Sequence, residues 1–262
     1  MNDLGYSCKW GVKMLIEERK SRILNLLKER DVVTIPELID SLQVSEATIR
    51  RDLAYLDSIN ALKRVHGGAT AMKKSLIEPT YNEKQNINVD DKKAIAKYAA
   101  SLVENGDSIY LDAGTTTYEM VPYLEGKDIV VVTNGLKHIE LLIESKIEAY
   151  IIGGKIKSST KAVVGIEAIR NLERYKFDKS FLGINGIHLI HGYTTPDAEE
   201  STLKEMAMKA SKESFVLADE SKFGQQYFMQ VASLDKASII TSSSTNFGEY
   251  SKLTEIRKVE EE

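Results

Sequence analysis

Two adjacent arginines carry the most specific chemistry in this sequence. Arg50 and Arg51 stand in Ser45-Glu-Ala-Thr-Ile-Arg-Arg-Asp-Leu53, where Ile49, Leu53 and Leu56 recur at helical spacing and mark one apolar stripe. Thr48, Arg50, Arg51 and Tyr55 lie off that stripe, so the pattern predicts a helix that turns two guanidinium groups to solvent. A guanidinium donates two parallel hydrogen bonds to a guanine edge or to a phosphate, as a helix lying in a DNA major groove must. Ser45 suits the N-cap of that helix and Glu46 its first turn. Downstream, Leu62-Lys-Arg-Val65 alternates apolar and basic, breaks at Gly67-Gly68 and resumes at Ala69. That reads as a hairpin, a wing, with Arg64, His66 and Gly67 near its tip. Ser45, Glu46, Thr48, Arg50, Arg51, Tyr55, Arg64, His66 and Gly67 are the expected DNA-contacting set; the plain alternative is an amphipathic helix and a solvated basic loop.

A second set occupies the rest of the chain. Asp112-Ala-Gly-Thr-Thr-Thr117, Asn134, Gly154-Lys155, Asn185 and Lys222 each come just after a short apolar run, and Asp197, Glu199 and Lys204 open a helical stretch. In open α/β sheets ligands bind at the carboxyl ends of the strands. The Gly114-Thr115-Thr116-Thr117 turn between strand and helix presents backbone N–H groups that can cradle a phosphate. Lys155, Lys204 and Lys222 are cations for the same anion, and Asp112, Asn134, Asn185, Asp197 and Glu199 can take sugar hydroxyls. Any one of these clusters alone is ordinary turn chemistry; their recurrence on one sheet edge argues for a site. His188 and His191 are close in sequence, but with no second cysteine or carboxylate pair beside them no metal site is expected.

The elements that must position these residues follow from pattern. Ile16, Ile23, Leu24 and Leu27 stripe a helix over 16–30, Val32-Val33-Thr34 is a short strand able to pair with the wing, and Ile35–Leu42 is a helix with Pro36 in its first turn. Thr34 and Glu37 are spaced as a capping box. Gln43-Val44 turns into the arginine helix, completing a helix-turn-helix. Residues 1–13 read as a flexible leader, 14–71 as the winged unit, and 72–89, with Lys73-Lys74 and Pro79, as a polar irregular linker. From Asp90 to the end, helices alternate with strands at 108–111, 129–132, 149–152, 180–183, 215–218 and 237–240, with a helix over 198–212 and an uninformative charged tail from Lys252. Such alternation means a mostly parallel sheet covered on both faces. The fold class is therefore α/β, a small winged helix-turn-helix head on a larger, mostly parallel α/β unit.

Composition narrows the class. A chain of 262 residues suits two domains, and no apolar run approaches a membrane span. One cysteine, Cys8, and no secretory leader fit a reducing cytoplasm. The net charge of −4 argues against nucleic acid, but its distribution does not: residues 1–80 carry 13 Lys+Arg against 11 Asp+Glu, the remainder 22 against 28. The positive excess gathers on the proposed helix and wing.

T-I-R-R-D-L followed by R-V-H-G-G-A resembles the N-terminal signature of the DeoR family of bacterial transcriptional repressors. L-D-A-G-T-T, V-T-N-G, I-G-G-K, L-G-I-N-G, G-Y-T-T-P-D-A-E-E and L-A-D-E-S-K-F-G resemble the successive motifs of that family's sensor domain, so the likeness spans nearly the whole chain. It departs at Val164-Gly165-Ile166, where the family commonly has proline after the glycine. The resemblance implies a sensor similar in fold to ribose-5-phosphate isomerases and coenzyme A transferases. It also implies a repressor of a carbohydrate operon, released from double-stranded operator DNA by a phosphorylated sugar, with no cofactor and no membrane partner. One helix and wing contact little DNA, so a homo-oligomer is expected. A sugar-phosphate isomerase using Asp197, Glu199 and Lys204 as acid–base groups is the enzymatic alternative; against it, the isomerases' glycine-rich K-G-x-G segment is missing near 200–212. Nonspecific nucleic-acid binding, the third reading, predicts strong salt dependence and no operator preference.

Overall fold

The structure is a computed structural model that describes residues 15–30, 32–58, 61–65, 67–70, 78–242 and 247–259. The expected leader, His66 and residues 72–77 of the expected linker lie outside the described residues. The chain divides into two units, Met1–Lys74 and Ser75–Glu262.

In the first unit α1 (Ile16–Arg30), β1 (Val32–Thr34), α2 (Ile35–Leu42), α3 (Glu46–Ser58), β2 (Lys63–Val65) and β3 (Gly68–Thr70) follow in order. Ile23, Leu27, Leu38, Leu42, Ile49, Leu53, Leu56 and Leu62 close one core, whereas Ile16, expected on the stripe, is exposed in the first turn of α1. The capping box forms: the Glu37 N–H donates to Thr34 Oγ1 at 3.4 Å, and the Thr34 N–H to Glu37 Oε2 at 2.8 Å. Gln43 takes a left-handed conformation, φ 52°, and ends α2. β2 and β3 make the antiparallel wing, and β1 pairs with β3 as its outer strand. Gly68 must be glycine, since a Cβ there would lie 2.1 Å from the Val33 carbonyl oxygen of the strand beside it.

In the second unit α4 (Tyr81–Gln85) and α5 (Val89–Ser101) lead into β4 (Ser108–Leu111), α6 (Thr115–Met120), β5 (Val130–Thr133), α7 (Leu136–Glu144) and β6 (Glu148–Ile151). A hairpin of β7 (Lys155–Lys157) and β8 (Ala162–Val164) precedes α8 (Ile166–Leu172), β9 (Phe177–Gly183), β10 (Gly186–His188), β11 (Gly192–Thr195) and α9 (Ala198–Ala210). β12 (Ser211–Leu217), β13 (Met229–Ala232), β14 (Ser238–Thr241) and β15 (Ile256–Lys258) complete it. Among the described residues seven strands form one sheet in the order β6-β5-β4-β9-β12-β14-β15, every pair parallel. Strand alternation sorts the core onto its two faces. Ile109, Leu111, Val131, Phe181, Phe215 and Ile240 meet α5, α6 and α7 on one side, while Tyr110, Val132, Leu182, Val216 and Ile239 meet α8 and α9 on the other. β10, β11 and β13 form a small antiparallel sheet.

Several expectations change. The described part of 72–89 is not irregular linker. Thr80 caps α4 with Glu83, the Tyr81 ring is buried, and its N–H donates to the Ser159 carbonyl at 2.8 Å, so this stretch belongs to the second unit. The charged tail contains β15, which pairs with β14 and adds a seventh strand; three residues are too few to show a period. The helix expected over 198–212 ends at Ala210, and Ser211-Lys212 begin β12. The β7–β8 hairpin, α8 and the small sheet were not anticipated, being short and without a clear period. Ile166, where the family commonly has proline, is the exposed first residue of α8, a position that tolerates either side chain because its N–H has no intrahelical acceptor.

One ion pair holds α3 in place against α1. Arg19 of α1 donates through Nε and NH2 to the two carboxylate oxygens of Asp52 on α3, at 2.5 and 3.1 Å, and both residues are buried. Asp52 sits on the inner face of α3, one turn beyond Ile49. Asp52→Ala is expected to destabilise the first unit by about 3–5 kcal/mol, because it leaves a buried guanidinium unpaired. Arg19→Met with Asp52→Leu, which removes both charges, should recover most of the loss. Amide hydrogen exchange in α1 and α3 measures both.

Candidate functional site

On the first unit the outer face of α3 and the wing are charged and exposed. Ser45 caps α3: the Thr48 N–H donates to its Oγ at 3.4 Å, and the two hydroxyls are 3.0 Å apart. Arg50 pairs with Glu46 one turn back at 2.6 Å, and Arg51 Nε donates to the Ala47 carbonyl at 3.2 Å. Both guanidinium groups are thus oriented by α3 itself. Tyr55 is exposed, with the Lys20 ammonium 3.6 Å from its ring centroid. The Arg64 N–H donates to Asp57 Oδ1 at 3.0 Å, tying the wing to the end of α3 while the Arg64 side chain stays exposed. Gly67 turns the wing with φ 83°. Of the expected contact residues, Ser45, Glu46, Thr48, Arg50, Arg51, Tyr55, Arg64 and Gly67 belong to this helix and wing.

On the second unit the sheet order reverses at β4, which has β5 on one side and β9 on the other. That is the switch point where an open α/β sheet leaves a crevice beyond its strand ends. Asp112, next after β4, is 3 % exposed; it accepts the Gly183 N–H at 3.1 Å from the end of β9 and the ammonium of Lys204 from α9. Burial pulls the Lys204 pKa down, but Asp112 and Glu200 outweigh it and hold the ammonium above its ordinary value. Gly114 caps α6, so the first amides of that helix have no intrahelical acceptors. Thr115 and Thr116 line the turn. Thr117 is turned inward, donating to the carbonyls of Asp112 and Gly114 and accepting the Gly114 N–H at 3.1 Å.

Asn134, after β5, is also inward: its Nδ2 donates to the Val163 carbonyl at 3.3 Å, and its Oδ1 has no partner among the described residues. Asp197 caps α9, accepting the Glu200 N–H at 2.9 Å, and meets Lys157 at 3.0 Å. Burial raises its pKa, but the Glu200 N–H and Lys157 outweigh that and hold it below the ordinary carboxylate value. Glu199 pairs with Lys155 at 2.9 Å. Gly154, before β7, faces the Val164 carbonyl so closely that a Cβ would come within 2.7 Å. Asn185 accepts from the Thr195 hydroxyl at 2.9 Å, and Lys222 lies 3.6 Å from Asp219. Asp112 and Lys204 are thus joined directly, as are Lys155 and Glu199; Thr117 is spent on shaping its loop, Asn134 uses its Nδ2 but not its Oδ1, and Asn185 and Lys222 are each held by a neighbour of their own.

Sequence reasoning missed Lys157, Glu200, Gly183 and His138. Lys157 alternates with Lys155 along β7, which was the available signal; the others have no local signature. His138 on α7 is fully buried, and its Nε2 lies 3.2 Å from Thr117 Oγ1. The single Thr117 proton is directed at main-chain carbonyls, so Nε2–H donates to Thr117 and Nδ1 is left as an acceptor without a partner. Its ring packs so closely on Gly135 that a Cβ there would lie 2.2 Å from Nδ1. His188 and His191 have rings 4.9 Å apart, with His188 Nδ1 accepting backbone N–H groups. Among the described residues no group of three or more His, Cys, Asp or Glu is placed to hold a metal ion, and no helix is long and apolar enough to cross a membrane.

A helix-turn-helix with a wing, exposed arginines on its second helix and a parallel α/β unit following it in the chain define a DNA-binding transcriptional regulator. Residues 19–75 match the DeoR-like helix-turn-helix domain and residues 87–244 the DeoR C terminal sensor domain. The chain belongs to the DeoR family. It is 47% identical over 249 residues to FruR of Bacillus subtilis (strain 168), an uncharacterized HTH-type transcriptional regulator, covering 94% of this chain and 99% of that protein. It is 35% identical over 212 residues to the lactose phosphotransferase system repressor of Lactococcus lactis subsp. lactis, covering 79% and 83%. Ribose 5-phosphate isomerase A of Methanocaldococcus jannaschii overlaps 52% of this chain and 55% of its own at 21% identity and a TM-score of 0.40, a partial likeness that bears on neither activity nor ligand.

Burial of His138 pushes its pKa down to about 3. The imidazole is neutral in the fold but protonates near its ordinary value of about 6.5 once unfolded. Its contribution to stability is therefore complete above pH ~6.5 and is lost as pH falls toward 3. Between about pH 7.5 and about pH 5 the unfolding free energy of the second unit should fall by about 2 kcal/mol from this group. His138→Gln should show a correspondingly smaller fall, and urea titrations at the two pH values compare them.

Proposed function

We propose that the chain is a repressor of a carbohydrate-utilisation operon, bound to operator DNA through α3 and the wing and released by a phosphorylated sugar at the carboxyl edge of the sheet. The observation that carries the reading is the meeting at the β4–β9 switch point of the Asp112–Lys204 pair with the N-terminal turn of α6. A phosphate suits the Gly114–Thr117 turn through the amides of Thr115 to Thr117, the Gly114 N–H being held within the turn, with Lys204 and Lys222 offsetting its charge, and sugar hydroxyls suit Asp112, Asn134, Asn185, Asp197 and Glu199. Gly154 and Lys155 line the same edge from the hairpin. Binding without turnover is enough for this role, so the reading includes no enzymatic step and no cofactor. The names of the relatives, a transcriptional regulator and a lactose phosphotransferase system repressor, support the same class. A DNA partner places the protein in the cytoplasm. Homo-oligomerisation would pair heads on half-sites spaced by whole helical turns, about 10 bp or multiples.

On the DNA side, Arg50→Ala, Arg51→Ala and Arg64→Ala are expected to weaken operator binding. A lost bidentate base contact costs about 1–3 kcal/mol at one operator position, whereas a lost phosphate contact weakens all sequences alike. Fluorescence anisotropy on an operator and its single-base variants separates the two, and unchanged affinity in all three would refute the assignment.

On the effector side, fructose 1-phosphate and related esters, but not the free sugars, should raise the melting temperature and lower operator affinity roughly 5- to 150-fold. Lys222→Ala should keep operator binding and lose that response; a normal response, or equal action of the unphosphorylated sugar, contradicts the phosphate site.

A further inference from the structure

The β7–β8 hairpin grips the effector edge from one side and the start of the second unit from the other. Lys155 and Lys157 alternate along β7 and share a face, and both reach the first turn of α9: Lys155 meets Glu199 at 2.9 Å, and Lys157 meets Asp197 at 3.0 Å and Glu200 at 3.1 Å. Lys157 also meets Glu78, the first described residue after the boundary at Lys74. The turn of the same hairpin adds two bonds. The Ser159 carbonyl accepts the Tyr81 N–H at 2.8 Å, and the Thr160 hydroxyl donates to Glu200 at 2.6 Å. Glu78 and Glu200 side chains are 9 % exposed and Lys157 18 %, so these bonds are largely shielded from water.

One ammonium thus serves three carboxylates. Burial lowers the Lys157 pKa, but Glu200 and Glu78 overcome this and hold the group charged. Lys204 and Lys84 also act on these acids, but Lys157 is in contact with all three, so a further anion nearby competes with them for its ammonium. Asp197 belongs both to this cluster and to the proposed effector site. Tyr81 stays anchored by its buried ring, whereas among the described residues Glu78 is held by the side chains of Lys157 and, at 3.4 Å, Lys84.

We propose that the Glu78–Lys157 pair is the element through which the effector site controls the DNA-binding unit, rather than the intervening segment as a whole. It rests on the reading that a sugar phosphate binds at the carboxyl edge. With the edge empty, Lys157 holds Glu78 and the chain leaves the second unit from a fixed point. An anionic ligand seated against Asp197 and Lys155 draws Lys157 toward itself. Glu78, which cannot stay buried without its partner, then turns to solvent and loses its hold. The ligand has unequal affinity for the two arrangements, as any effector must to shift an equilibrium. Glu78 and Lys157 are positioning residues, since neither touches DNA in this scheme.

The test uses the full chain and its operator. Glu78→Gln keeps the shape of the side chain and removes its charge. It should weaken operator binding roughly 5- to 150-fold with no ligand present, while leaving the melting-temperature rise given by fructose 1-phosphate intact. Glu78→Asp, too short to reach Lys157, should act in the same direction. Lys84→Met removes the other partner of Glu78 and should bind operator as the unaltered protein does. Wild-type operator affinity in both Glu78 variants would overturn the proposal, and so would a Lys84→Met variant as weak as they are. If no sugar phosphate raises the melting temperature of the unaltered protein, the effector reading fails instead, and the ligand-free operator affinities still report whether Glu78 couples the two units.

Discussion

A buried ammonium–carboxylate contact at the point where the sheet changes direction organises the second unit. Asp112 leaves β4, Gly183 ends β9 and Lys204 rises from α9, and these three meet although Asp112 and Lys204 are 92 residues apart in the chain. Removing one partner of such a pair leaves a charge in a low-dielectric interior, while replacing both by packed apolar groups is often neutral or stabilising. Stability alone therefore does not explain why a lysine and an aspartate occupy a place that leucines could fill. The site proposed for an anionic, hydroxyl-bearing ligand would use both, held rigidly and already desolvated.

The first unit uses the same device for another end. Arg19 and Asp52 are buried and satisfy each other, which fixes α3 against α1 and leaves Arg50, Arg51 and Arg64 facing outward. Glu46 lies against Arg50 and holds it in an extended pose on the helix surface. An exposed pair of this kind contributes little to stability, so phosphates can displace the carboxylate at small cost. Charge inside the unit sets geometry; charge outside it is available for recognition. This is how a chain with a net charge of −4 can present a DNA-binding face.

The effector edge differs from the DNA face in how its groups are committed. Thr117 and His138 complete a chain of hydrogen bonds beneath the Gly114 turn, so the shape of that turn depends on α7 as well as on its own residues. Lys155, Lys157, Asp197, Glu199 and Glu200 tie the hairpin to α9. These groups are already paired with one another, so under the proposed function a ligand would bind by exchanging partners among them.

Much of this was legible in the residues alone. Periodicity marked the stripe of α3, the capping-box spacing of Thr34 and Glu37 marked the start of α2, and Gly-, Asp- and Asn-rich breaks marked the ends of the parallel strands. Those signals are local: a period reports which face of an element is buried, and a cap reports where a helix begins. The tertiary structure decided the pairings. Asp52 looked like one more polar residue of a basic helix until α1 brought Arg19 from 33 positions away. Lys157 gained Glu200 from 43 positions away and Glu78 from 79, and β15 became a strand only because β14 offered it an edge. The sequence determined the two units and their order. Which charges meet was settled by packing, because the partner of a buried charge is chosen by the fold that brings distant elements together and leaves no periodic trace in the chain.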